Sequence, residues 1–242
     1  MLSSVLVLVV SILAGAIAAV SGFGIGSFLT PLLLLRFPAF DAVALVAVPH
    51  VWATGLRLWR LRHDVHQPTF RQFGIASAVG GLAGALLQGQ LGGLVLTLVL
   101  TVLLLVAGIG ELRQRPVPLP TSRNWKLVGG ALSGFFGGLV GNQGGIRAAA
   151  LLQYQLTPGQ IVATATATAL LVDAARVPVY AVGAHSVIAA HVSLVLWMAL
   201  GVTIGTVVGV PIVGQLQRTT YRRLVGALLV CLALFLGILA AV

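Results

Sequence analysis

The chain has 242 residues, of which 59% are hydrophobic and 7% charged, and its mean hydropathy is +1.09. Soluble domains carry about 25% charged residues, so a water-soluble fold is excluded, and at about 20 apolar residues per spanning helix with short connections the length holds roughly eight membrane elements and no second, soluble domain. Lys and Arg number 14 against 4 Asp and Glu, a net charge of +10; they stand in short gaps between apolar runs, so the charge reports topology rather than a nucleic-acid surface.

The apolar runs cover about 2–35, 41–59, 72–90, 92–110, 127–152, 160–182, 187–213 and 224–242. The first contains Val5 to Val20, which ends in small residues as a secretory signal does but lacks a charged leading region; it is read as part of the first membrane element. Three breaks are basic or proline-rich: Arg57 to Arg71, with four arginines and two histidines, Arg113 to Lys126, and Arg218 to Arg223. Pro116, Pro118 and Pro120 make the middle one a linker between halves. Cys231 lies alone in the last run and forms no intramolecular disulfide.

Runs one and five are interrupted by glycine clusters, Ser21-Gly22-Phe23-Gly24-Ile25-Gly26 and Gly141-Asn142-Gln143-Gly144-Gly145. Each glycine costs a helix about 1 kcal/mol, so these clusters mark unwinding or very close packing, and non-helical backbone at that depth must be sheltered by protein or line a cavity. Shifting the chain by 119 residues places Gly15 on Gly134, Gly22 on Gly141, Gly26 on Gly145, Ala44 on Ala163 and Arg57 on Arg176. With a two-residue slip, Gly80 and Gly84 fall on Gly201 and Gly205, small-xxx-small patterns that let helix backbones approach. The expected organisation is one membrane domain with repeat one over 1–112, a linker over 113–126 and repeat two over 127–242.

If every run crossed fully, Arg218, Arg222 and Arg223 would lie opposite the other two basic clusters. If runs one and five enter, break and return, all three share one side, as the positive-inside rule prefers. The fold expected is therefore an all-α polytopic membrane protein of two inverted repeats, each a glycine-broken re-entrant hairpin plus three transmembrane helices, with both termini extracytoplasmic.

In such a hairpin the second arm begins deep in the protein with free N–H groups and a positive dipole end, an anion site that needs no buried cation. The candidate substrate-binding residues are Gly24, Ile25 and Gly26 at the first break, Asn142, Gln143, Gly144 and Gly145 at the second, and Arg147. Thr164 and Thr168, on one helix face at i, i+4, either line a path or bond back to the preceding turn. His50 is a proton-relay candidate or a histidine satisfied by a neighbour. Asp173 and Arg176, at i, i+3, are expected to neutralise each other; Arg57 and Arg176 are gate candidates through their shared repeat position, Arg57 alternatively snorkelling to the interface. The competing reading for the glycines is helix packing alone.

Gly22-x-Gly24-x-Gly26 lacks the preceding strand of a dinucleotide site. HExxH and Walker A motifs are absent, and Gly130-Ala131-Leu132-Ser133-Gly134 misses the spacing of an intramembrane serine protease. His63, His66, His185 and His191 have no clustered Cys or carboxylate partners for a metal. The expectation is no enzyme, no cofactor and no metal.

The segment Gly22-Phe23-Gly24-Ile25-Gly26-Ser27-Phe28-Leu29-Thr30-Pro31-Leu32-Leu33, its second copy from Ser133 to Leu152 and the half-repeat resemble the TauE/SafE sulfite-exporter family of membrane permeases, over nearly the whole chain. The second copy departs from the family pattern at Ala150, where proline is usual, and at Asn142-Gln143. The resemblance implies a duplicated permease that moves sulfite, sulfonates or related organosulfur anions across a bacterial inner membrane. The function expected is a secondary transporter exporting a small sulfur-containing oxyanion by alternating access; the alternative is a non-transporting scaffold or partner protein. Expected partners are the anion and the lipid bilayer, with no nucleic acid and a homodimer left open.

Overall fold

The computed structural model describes residues 4–21, 24–114, 123–214 and 217–241, and every regular element among them is helical. Gly22, Phe23 and the prolines of the expected linker lie outside the described residues. In order, α1 is Ser4–Ser21, α2 Ile25–Leu34 and α3 Ala39–Leu61, which tightens into a 3-10 turn at Arg62–Asp64. The single turn α4, Gln67–Thr69, passes through a π segment, Phe70–Gly74, into α5, Ile75–Gln88, and α6 is Gly93–Arg113. The second set is α7 Arg123–Val140, α8 Gly144–Leu151, α9 Pro158–Gly183, α10 His185–Ala190, α11 Val192–Gly214 and α12 Arg218–Ala241.

Helices dominate because hydrocarbon offers backbone N–H and C=O groups no other partner. Among the described residues five stretches are long and apolar enough to cross a bilayer: Ala39–Asp64, Gln67–Gln88, Gly93–Arg113, Pro158–Gly183 and Thr219–Ala241. The chain is thus a multi-pass, all-α membrane protein. Local sequence sets the ends. Thr157 and Gln160 form a capping box at the start of α9, Thr157 Oγ1 accepting from the Gln160 N–H at 3.3 Å and Gln160 Oε1 from the Thr157 N–H at 3.1 Å, with Pro158 at the first helical position.

Burial separates a centre from a rim. The spans of α3 and α9 are 61% and 56% buried, those of α6 and α12 only 22% and 28%, so α3 and α9 form the axis and α6 and α12 the exposed rim. The axial pair runs antiparallel: Phe40 meets Tyr180 edge-on at 6.0 Å, His50 meets Asp173, and the His66 N–H donates to Thr164 Oγ1 at 3.0 Å. The rim pair is antiparallel too, with Arg222 Nε donating to Glu111 Oε2 at 2.8 Å at one end and Gly237 beside Thr101 towards the other. The basic stretches gather at one end of the molecule. Arg71 and Lys126 line one surface hollow, and Gln114 Nε2 donates to the Thr219 carbonyl at 3.4 Å. Tyr221 Oη reaches the Ile17 carbonyl, next to the Ala18 carbonyl that Arg57 holds.

Two further contacts are made backbone to backbone. Gly201 and Gly205 of α11 lie on Leu8, Ser11, Ile12 and Ala16 of α1; Gly80 and Gly84 of α5 lie on Ala131, Phe135 and Leu139 of α7. A Cβ at Gly84 would fall well inside the contact distance of the Phe135 carbonyl oxygen, whereas one at Gly110 would meet nothing within 4 Å. Gly84→Ala is therefore expected to destabilise the protein by about 1–3 kcal/mol through overpacking, and Gly110→Ala to stabilise it by about 0.5–1 kcal/mol through helix propensity. Thermal melts of the detergent-solubilised variants would reveal the opposite signs; equal shifts would remove the close approach as the reason for glycine at 84.

Candidate functional site: two broken helices around one cavity

Each break reverses the chain. Gly24, with φ +141°, turns back onto Ala14, Ile17 and Ala18 of α1, and Gly141, with φ +72°, does the same after α7, bringing Ala150 of α8 beside Gly129. Both φ values lie in the region that side chains with a Cβ rarely adopt. The two turns then meet: a Cβ on Gly26 would strike the Gly141 carbonyl oxygen, and Ser27 Oγ donates to Asn142 Oδ1 at 3.2 Å.

The first intrahelical bonds run from the Phe28 N–H to the Gly24 carbonyl at 3.0 Å and from the Arg147 N–H to the Gln143 carbonyl at 3.1 Å. The N–H groups of Ile25, Gly26 and Ser27, and of Gly144, Gly145 and Ile146, precede those bonds, and neither Gly24 nor Gln143 supplies a side-chain cap. Between these helix starts is a cavity of about 20 Å³, walled by Gly24, Gly26 and Ser27, by His50 of α3, by Gly141 to Gly144 and Arg147, and by Ala169 of α9. That is room for about one water molecule.

The cavity wall carries hydrogen-bond donors without protein partners. Asn142 Oδ1 is engaged by Ser27, leaving Asn142 Nδ2 free, and Gln143 Oε1 accepts from Arg147 Nη2, leaving Gln143 Nε2 free. Arg147 Nη1 donates to the Ala165 carbonyl at 3.3 Å, and Arg147 Nε has no partner. All three side chains are at most 5% exposed. Buried donors are nearly always satisfied in native proteins, so three without a protein partner on residues that line one cavity make it a place suited to acceptors.

The surrounding charge has the same preference. Arg57, Arg147, Arg176 and Asp173 are all buried, at 6%, 2%, 1% and 0% exposure. Asp173 Oδ1 accepts from Arg176 Nε at 2.9 Å and Nη2 at 2.8 Å, and Asp173 Oδ2 lies 2.7 Å from His50 Nδ1. One carboxylate thus faces three guanidinium groups, and the interior around the cavity keeps an excess of positive charge.

Arg57 and Arg176 do parallel work. Arg57 Nη1 donates to the Ala18 carbonyl in the last turn of α1, and Arg176 Nη1 to the Gly137 carbonyl in the last turn of α7, positions that coincide under the 119-residue shift. Each arginine supplies donors and positive charge to the carbonyl end of a helix that stops inside the protein. Arg57 is consequently buried rather than snorkelling, because α3 continues past it to Leu61.

Of the residues expected at the site, Gly24, Gly26, Asn142, Gln143, Gly144, Arg147 and His50 surround the cavity. The Ile25 side chain points into the apolar core, and Gly145 packs on Ala107. Thr164 holds the His66 N–H, and the back-bonding threonine is Thr166, whose hydroxyl donates to the Val162 carbonyl at 2.7 Å, while Thr168 Oγ1 is buried without a partner. Sequence reasoning misses Ser27 and Ala169, and names Gly141 only as part of the break and not as a site residue. Ser27 carries a legible signal, a hydroxyl at the third position of α2; Ala169 carries none.

Replacing Arg176 with Ala deprives Asp173 of its cation and is expected to cost about 3–5 kcal/mol, as breaking a buried ion pair does. Arg57→Ala removes a bond to a carbonyl but no ion pair and is expected to cost about 1–3 kcal/mol. Unfolding midpoints in detergent would rank the two, and an equal loss would dismiss the ion pair as the source of the difference.

A profile described as sulfite exporter TauE/SafE matches residues 7–236. No curated protein and no solved structure matches the chain. The profile spans both broken helices, the axial pair and most of α12, so the chain, a multi-pass helical membrane protein with a donor-lined cavity where its broken helices meet, belongs to the TauE/SafE sulfite exporter family of membrane transporters.

Proposed function

We propose that this protein exports a small sulfur-containing oxyanion, such as sulfite or a sulfonate, across the inner membrane by alternating access. The observation that carries this reading is the set of unpartnered donors, Asn142 Nδ2, Gln143 Nε2 and Arg147 Nε, around one buried cavity. Two helix N-termini aimed at the same space add oriented N–H groups. Sulfur oxyanions present several acceptor oxygens on one small centre and would satisfy these donors together. A scaffold that used glycine only for packing would account for Gly84 and Gly205 but would leave these donors without a purpose.

The antiparallel course of α6 and α12, and of α3 and α9, supports two inverted halves, 1–112 and 127–242, with the cavity between them. The cavity has water size, so a polyatomic oxyanion enters only if the halves part, as alternating access requires. With the basic stretches cytoplasmic, both termini are extracytoplasmic. A negative-inside potential favours outward movement of each net negative charge carried across by about 2.3 kcal/mol per 100 mV.

Proteoliposomes loaded in turn with sulfite, thiosulfate, a sulfonate, sulfate and chloride test the reading. Wild type is expected to release one sulfur oxyanion selectively, and Arg147→Ala to release it about 10–100-fold more slowly, the loss of a charge-assisted hydrogen bond. No release of any salt by folded, reconstituted wild type would reject it.

A further inference from the structure

We propose that His50 takes up a proton as the oxyanion binds and releases it as the anion leaves, so that the carrier moves one proton with each anion. The inference rests on the transport reading above and concerns the same cavity, whose wall includes the His50 ring.

The geometry defines the two edges of the ring. Asp173 is fully buried, and its Oδ1 is taken by Arg176 Nε and Nη2. A carboxylate bound in this way is ionised and only accepts, so His50 Nδ1, 2.7 Å from Asp173 Oδ2, is the N–H edge. The ring is part of the cavity wall, which leaves Nε2 as the nitrogen that can serve a ligand there. In the neutral ring Nε2 presents a lone pair, which repels an oxyanion. In the imidazolium it presents an N–H, a further donor beside Asn142, Gln143 and Arg147.

Groups of both signs surround His50: Asp173 of α9 on its Nδ1 edge is negative, while Arg176 of α9, which holds that carboxylate, Arg57 of α3 and, in the same cavity wall, Arg147 of α8 are positive. From α2 the cavity receives the Ser27 hydroxyl and glycine backbone, and from the second break two uncharged amides. An arriving oxyanion adds negative charge beside this ring and shifts the balance towards imidazolium. Coupling of this kind is reciprocal: if the anion raises proton affinity, the proton raises anion affinity by the same factor. The proton comes from water on the side where the anion enters and returns to water on the side where it leaves. The 119-residue shift places Ala169 opposite His50 and Thr54 opposite Asp173, so the pair occurs once across the halves and the ratio is one proton per anion.

The experiment measures binding and flux of the same five salts from about pH 5 to 8, the range of imidazole titration, with wild type and His50→Gln. For any salt that wild type moves, its apparent affinity is expected to fall about tenfold per pH unit above the imidazole titration, one linked proton being one decade per unit. A pH dye inside the vesicles should record a proton with each anion. His50→Gln is expected to bind more weakly below the imidazole titration, with a flat pH profile, and to move no protein-borne proton; its profile also subtracts the protonation of free sulfite. An equal pH slope and equal proton movement in His50→Gln would overturn the proposal. So would anion transport by wild type without protons, which needs no variant. Wild type moving none of the salts would defeat the transport reading itself, and this inference with it.

Discussion

A helix that stops inside a membrane protein leaves carbonyls at one end and N–H groups at the other, and in a medium without water each must find a partner. This chain stops twice, near Gly24 and near Gly141, and the surrounding architecture answers that requirement. The carbonyl ends are met by Arg57 and Arg176, delivered from the two axial helices at positions that coincide under the 119-residue shift. The N–H ends face each other across the cavity, where the neighbouring side chains add donors instead of acceptors. Arg57 and Arg176 are thus turned to the carbonyl ends, and the positive potential of the helix starts stays available to a ligand.

Glycine has two separate tasks in this design. At Gly24 and Gly141 it permits a backbone angle that reverses the chain; at Gly80, Gly84, Gly201 and Gly205 it removes a side chain so that helices touch through their backbones. Close contact matters more here than in water, because lipid supplies no hydrophobic drive to press helices together. The tight pairs hold the first arms, α1 and α7, and so fix where the breaks fall relative to α3 and α9.

Much of the fold is legible in the sequence because apolar length and glycine clusters are local signals. The eight apolar runs correspond to the helices observed, with runs one and five each divided at their glycines and run seven opening with the short α10 before α11. Helix ends are less legible near charge. Arg57 reads as the start of a loop, yet α3 runs on to Leu61 because the Ala18 carbonyl gives that guanidinium a buried partner from another helix. The site is half legible. Asn142, Gln143 and Arg147 stand out as polar residues in an apolar run, but which of their atoms is free depends on Ser27, distant in sequence and near in space. His50 likewise reads as a lone histidine until α9 brings Asp173 beside it.

The packing of α1 on α11 bears on how the protein is made. The surface of α1 that receives Gly201 and Gly205 is complete after Ser21, yet its partner does not begin until Val192. At a synthesis rate of about 5–20 residues per second, the first arm waits in the bilayer for roughly 10–40 s with the face that receives these glycines uncovered. By contrast, α7 emerges when α5 is already in place. Assembly is therefore asymmetric in time although the finished contacts are alike: the second broken helix docks as it is inserted, whereas the first must be kept from other partners until nearly the whole chain has entered the membrane.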